Sequence, residues 1–140
     1  MKKRLTVISP VFNEVEVIES FYRELKVCLR GLEPRYDTQI LLVLDRCTDD
    51  TVSVVRHLAA DDLALRCLVL SSRFGHQMSL LAGLDHASAD IYVMMDSDLQ
   101  HPPSLIPEMV RAYEDGFDVV YTVRRESGPQ PFWRRVAGKA

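Results

Sequence analysis

The chain has 140 residues, is 47% hydrophobic and 26% charged, and carries a formal net charge of −3. These are the length and composition of one ordinary globular domain, not of a disordered or fibrous chain, and the charge gives no general pull toward nucleic acid, which is not expected as a partner. Cys28, Cys47 and Cys67 are odd in number and widely spaced, so neither a zinc site nor a disulfide framework is signalled, and they read as reduced thiols of a cytoplasmic protein.

Met1 to Arg4 is basic, but the apolar run behind it breaks at Pro10 and Asn13, too soon for a signal peptide. No stretch approaches the roughly 20 apolar residues of a bilayer span. Leu5 to Ser9 is a β-rich run closed by Pro10. Asn13 is placed to cap a helix whose stripe runs Ile18, Phe21, Leu25, Cys28, Leu29 and Leu32, ended by Gly31 and Pro34. Ile40 to Leu44 is a continuous apolar run, as in a strand covered on both faces. Thr48 or Asp49 can cap the next helix, with Val52, Val55, Leu58 and Ala59 on one side. Leu65 to Leu70 is the third strand and Gln77 to Ala87 the third helix, with Leu80, Leu81, Leu84 and Ala87 inward. Ile91 to Met95 is the fourth strand; Pro102 and Pro103 suit a helix start, and Leu105, Ile106, Met109, Val110 and Tyr113 make its stripe. Gly116 stops that helix, and Phe117 to Val123 is the fifth strand.

Five β segments alternating with four helices predict an α/β fold: a mostly parallel sheet with flanking helices joined by right-handed βαβ units. Residues 1–123 read as one α/β domain of this type. The rest, 124–140, is a basic, turn-rich tail containing Arg124, Arg125, Gly128, Pro129, Pro131, Arg134, Arg135 and Lys139. It reads as the start of a missing half, with solvation as its default and attraction to an anionic membrane face as the sharper reading.

In a parallel sheet, ligands collect beyond the strands' carboxyl ends. Polar residues stand at four of those ends: Asn13 and Glu14, Asp45, Arg73, and Asp96-Ser97-Asp98. Where a strand end stays extended, residues i and i+2 project to one side, so Asp96 and Asp98 can face one ligand and offer hard oxygens to Mg²⁺ or Mn²⁺. Equally, Asp98 can cap the following helix while Asp96 merely ends a strand. Arg73 precedes a helix start, where anions are favoured, and Gly75 permits close backbone approach; a solvated arginine in an ordinary loop is the alternative. His76 can cap, pack or act in catalysis. No nucleophile–base arrangement stands out, so acyl transfer has no support.

Taken in order, these segments resemble family 2 glycosyltransferases of the GT-A fold, and most of all the dolichyl- and polyprenyl-phosphate sugar transferases. The likeness rests on Val7 to Glu14, on Ser72 to Gln77 followed by Leu81-Ala82-Gly83-Leu84, on Asp96 to Pro103 and on Val120 to Arg125. The resemblance implies the Rossmann-like, nucleotide-binding half of that fold. It implies that Pro10, Phe12, Glu14 and Asp45 line a nucleoside pocket, and that Arg73 and Gln77 lie on the phosphate side. Asp96 and Asp98 would hold the metal, with Ser97 between them and Gln100 near the sugar. The donor would be a UDP- or GDP-linked sugar and the acceptor a hydroxyl or lipid phosphate, with displacement by inversion at the inner membrane face. Two departures stand against the pattern. Leu44-Asp45-Arg46-Cys47 replaces the family's Asp-Asp-Gly-Ser, and the acceptor half, which in many members supplies a general base, is expected beyond Ala140. A non-catalytic nucleotide-binding fragment or partner subunit is therefore the alternative, and an unpaired sheet edge leaves a homo-oligomer open. A haloacid-dehalogenase-type phosphatase also uses DxD, but after its first strand, which here ends in Pro10-Val11-Phe12-Asn13.

Overall fold

A computed structural model describes residues 1–125 and 132–138, the last nine of these (124–125 and 132–138) as backbone only. The turn-rich segment 126–131 and residues 139–140 of the expected tail lie outside the described residues. The chain forms two compact units, Met1–Pro103 and Ser104–Ala140.

The first unit runs β1 (Lys3–Val11), α1 (Ile18–Arg30), β2 (Tyr36–Leu44), α2 (Thr51–Asp61), β3 (Leu65–Val69), α3 (His76–His86) and β4 (Ile91–Met94). Its four strands form one parallel sheet in the order β3-β2-β1-β4. Leu5, Val7, Ile8, Ile40, Leu42, Val43 and Leu44 are all buried, which is why these segments read as unbroken apolar runs instead of alternating ones. The chain steps from β1 to β2 to β3 in one direction, then returns past β1 to add β4. Right-handed crossovers therefore put α1 and α2 on one face and α3 on the other. On the α3 face, Ile8, Leu41 and Val43 pack with Leu68, Leu70, Leu80, Leu84 and Ala87. Leu81, expected inward, is exposed. The helix comes nearest the sheet at Gly83, where an added Cβ would lie 2.5 Å from Ile8 Cγ2 and 3.1 Å from Val43 Cγ2.

The second unit holds α4 (Ile106–Glu114), β5 (Val119–Arg125) and β6 (Phe132–Gly138). Here the expectation from sequence is corrected. β5 does not extend the parallel sheet but pairs antiparallel with β6, Val119 opposite Gly138 through Arg125 opposite Phe132. Part of the segment read as tail is thus a strand. Its neighbours Gly128, Pro129 and Pro131 dominate the sequence signal, while a hairpin is stabilised by cross-strand pairing that the segment does not show by itself.

Candidate functional site

β1 is where the winding of the sheet turns: the chain leaves it toward β2 and β3 on one side and later returns past it to place β4 on the other. This is the topological switch point at which open α/β sheets form a ligand crevice. A cleft of about 260 Å³ opens there, lined by Pro10, Val11, Phe12, Glu14, Asp45, Arg73, His76, Ser79, Asp96, Ser97 and Asp98.

Asp45 follows β2 directly and is buried. Its Oδ1 accepts the Phe74 N–H at 2.7 Å and its Oδ2 the Gly75 N–H at 2.9 Å, and Arg73 Nη1 donates to Oδ2 as well. Gly75, at φ 91°, is the residue that precedes α3, and its carbonyl accepts the Ser79 hydroxyl at 2.8 Å. The anion at the approach to α3 is thus a side chain of the protein itself, held by backbone N–H groups and a cation. Arg73 is turned the same way: its guanidinium carbon lies 3.6 Å from the centroid of the Phe12 ring, a cation–π stack that makes one wall of the cleft.

Opposite stand the carboxylates. Asp96 and Asp98 follow β4, and His76 Nε2 lies 2.6 Å from Asp96 Oδ1. Asp98 Oδ1 accepts the Gln100 N–H at 3.0 Å, a local turn assisted by Leu99 at φ 63°, so the alternative role as a helix cap is not the one adopted. Between them Ser97 is buried and donates its hydroxyl to the Pro10 carbonyl at 3.2 Å, tying the β4 loop to β1. The Glu14 carboxyl is raised above its usual pKa, first by burial and then by the charges of Asp98, Asp49 and Asp96. Asp98, Asp49 and Asp96 thus surround Glu14 with like charge, which disfavours its ionised form. Among the described residues no three His, Cys, Asp or Glu side chains converge as a closed metal site. Two carboxylates in an open cleft fit an ion that takes its remaining ligands from a phosphate and water, as Mg²⁺ does.

The loops after β1 and β2 are stapled together. Asn13 Oδ1 accepts the Thr48 N–H at 2.8 Å and the Asp49 N–H at 3.4 Å, while Nδ2 donates to Thr48 Oγ1 at 3.0 Å. Asn13 therefore does not cap α1, which starts at Ile18 without a side-chain cap. The second helix begins at Thr51, whose N–H donates to Asp49 Oδ1 at 3.0 Å.

Of the residues singled out from sequence, Pro10, Phe12, Glu14, Asp45, Arg73, Asp96, Ser97 and Asp98 come together on the cleft. Gln77 and Gln100 are exposed and lie outside its lining. Val11, His76 and Ser79 line it without having been assigned to it from sequence. His76 was detectable as the residue after Gly75 at a helix start; nothing local marks Ser79, which faces the cleft because it lies one helical turn past Gly75.

A profile of Glycosyl transferase family 2 matches residues 6–139. An uncharacterised glycosyltransferase of Bacillus subtilis (strain 168), YkcC, is 33% identical over 130 residues, covering 93% of this chain and 40% of that protein. A bactoprenol glucosyl transferase of Shigella phage SfV is 35% identical over 123 residues, covering 88% of this chain and 39% of that protein. Among solved structures, a mannosyltransferase of Pyrobaculum calidifontis, PcManGT, in complex with GDP-Man and Mn²⁺, superposes with a TM-score of 0.70 at 29% identity. It covers 89% of this chain and 36% of that one. The chain thus spans about two fifths of the length of the curated relatives it matches.

Proposed function

Since the chain belongs to Glycosyl transferase family 2, we propose that its cleft binds a nucleoside diphosphate sugar and serves transfer of that sugar to an acceptor, a polyprenyl phosphate in the sharpest form of the reading. The observation that carries this is the meeting of Asp96 and Asp98 with the Phe12–Arg73 wall in one cleft at the switch point. The word bactoprenol in the phage relative's name supports a polyprenyl acceptor. The GDP-Man and Mn²⁺ of the superposed mannosyltransferase support a nucleotide sugar and a divalent ion.

In this account Asp96 and Asp98 would hold Mg²⁺ or Mn²⁺ for the donor diphosphate. The bound ion would neutralise charge developing on the leaving nucleoside diphosphate. Phe12, Pro10 and Arg73 enclose the nucleoside, and Asp45 holds the loop that carries Arg73. Ser97 keeps the two metal-binding carboxylates docked on β1. The acceptor oxygen attacks the anomeric carbon from the face opposite the diphosphate, so the bond to the leaving oxygen breaks as the new one forms and the configuration inverts. No side chain of the cleft is assigned as the base for this step.

A transfer assay tests the acceptor. The chain is incubated with radiolabelled UDP- and GDP-sugars, Mn²⁺ and a polyprenyl phosphate in detergent. Label moving into the organic phase with one donor is the expected result. A folded chain that moves label to a free sugar hydroxyl but never to lipid phosphate removes that acceptor from the account.

A further inference from the structure

Among the described residues, three other than glycine have positive φ, and each lies in a loop that follows a strand's carboxyl end: Asn13 at 50°, Arg46 at 42° and Leu99 at 63°. Such backbone is disfavoured for L residues, and asparagine tolerates it best because its short amide can bond locally. Here the amide of Asn13 bonds 35 residues away instead, to both the N–H and the hydroxyl of Thr48 and to the Asp49 N–H. The bonding is reciprocal. Thr51 Oγ1, buried, accepts the Glu14 N–H at 3.0 Å, and Asp49 Oδ2 accepts the Val15 N–H at 3.4 Å. The residues on either side of Asn13, Phe12 and Glu14, both line the cleft, while Asn13 itself does not. Whatever fixes residue 13 therefore sets the direction of two cleft side chains at once.

We propose that Asn13 is a positioning residue of the donor site: its amide, bridged to Thr48 and Asp49, holds Phe12 and Glu14 in the orientation that receives the nucleoside. This rests on the donor-site reading above. The bridge lies beyond the ends of β1 and β2, whose register is maintained independently up to the Asp45 N–H bond with the Val11 carbonyl at 2.9 Å. Its loss thus loosens the loop and leaves the sheet intact.

The test separates the amide from the backbone and from overall stability. Asn13→Gly keeps positive φ without strain and removes the side chain that carries the bridge. Asp62→Ala is the control: it breaks the bond from Tyr22 and the ion pair with Lys26, away from the cleft. Binding of UDP and GDP with Mn²⁺ is measured by calorimetry below both unfolding midpoints, together with hydrogen exchange at the Thr48 amide. Asn13→Gly is expected to weaken the nucleotide that binds by about tenfold, the scale of one to two lost hydrogen bonds, and to speed Thr48 exchange. Asp62→Ala is expected to leave the affinity unchanged. Wild-type affinity in Asn13→Gly overturns the proposal, as does equal weakening in Asp62→Ala, which would make the effect one of stability. A wild-type chain with a protected Thr48 amide that binds neither nucleotide shows instead that the donor-site reading has failed, and the proposal falls with it.

Discussion

Asp45 makes the sharpest stability prediction. Its side chain is 2% exposed, and it accepts from Arg73 and from two backbone N–H groups. In Asp45→Asn, one oxygen becomes an NH₂ group whichever way the amide is turned. Facing Phe74 it meets an N–H; facing Gly75 it meets an N–H and the guanidinium. At least one donor is left without its acceptor, and Arg73 loses its counter-charge. Removing one partner of a fully buried pair costs about 3–5 kcal/mol. Arg73 is 50% exposed and can recover water, so the lower range applies. The expected loss is about 2–3 kcal/mol, the sum of one charge-assisted bond and one unsatisfied N–H. For a chain of this size that lowers the melting temperature by about 10 °C. Thermal and urea unfolding followed by circular dichroism measure it. An Asn variant within about 0.5 kcal/mol of wild type, the range of an ordinary surface change, would refute the anchoring role.

Other sites are equally exposed to test. Gly83→Ala gains helix propensity of about 1 kcal/mol, but its Cβ would meet Ile8 Cγ2 at 2.5 Å. Ile8 is fully buried and stiff at χ1, so overpacking of about 1–3 kcal/mol outweighs the gain, and the urea midpoint is expected to fall. Tyr22 donates to Asp62 at 2.7 Å; burial first, then that bond and the Asp62 charge, push its hydroxyl up to about 12 from 10.0. Because its folded pKa lies above its unfolded one, the stability it adds is complete below pH 10 and is lost as pH rises toward 12. The stability difference between wild type and Tyr22→Phe is expected to shrink across that window. A constant difference would show that the hydroxyl titrates alike in both states.

Much of the first unit was legible because its signals are local. Ile40 to Leu44 is apolar along its whole length since both faces of β2 are covered, and the stripe through Ile18, Phe21, Leu25 and Leu29 is the buried side of α1. Asp96 and Asp98 stood out because their spacing at a strand end has a geometric meaning that needs no partner. What escaped depends on distant contacts. Asn13 looks like a cap until Thr48, 35 residues on, supplies a better partner for its amide. Asp45 gave no sign that the anion-favouring approach to α3 would be filled from β2, 29 residues before Phe74. β5 has the composition of a parallel strand and becomes antiparallel only through pairing with β6.

The central claim is that Asp96 and Asp98 form a metal-dependent nucleotide site, and titration of the chain with UDP and GDP by calorimetry, with and without Mn²⁺, tests it most directly. The account predicts binding of one nucleotide that requires Mn²⁺ and disappears in Asp96→Asn and in Asp98→Asn, with both variants folded. Nucleotide binding of equal strength without the metal, or undiminished in both variants, would contradict it.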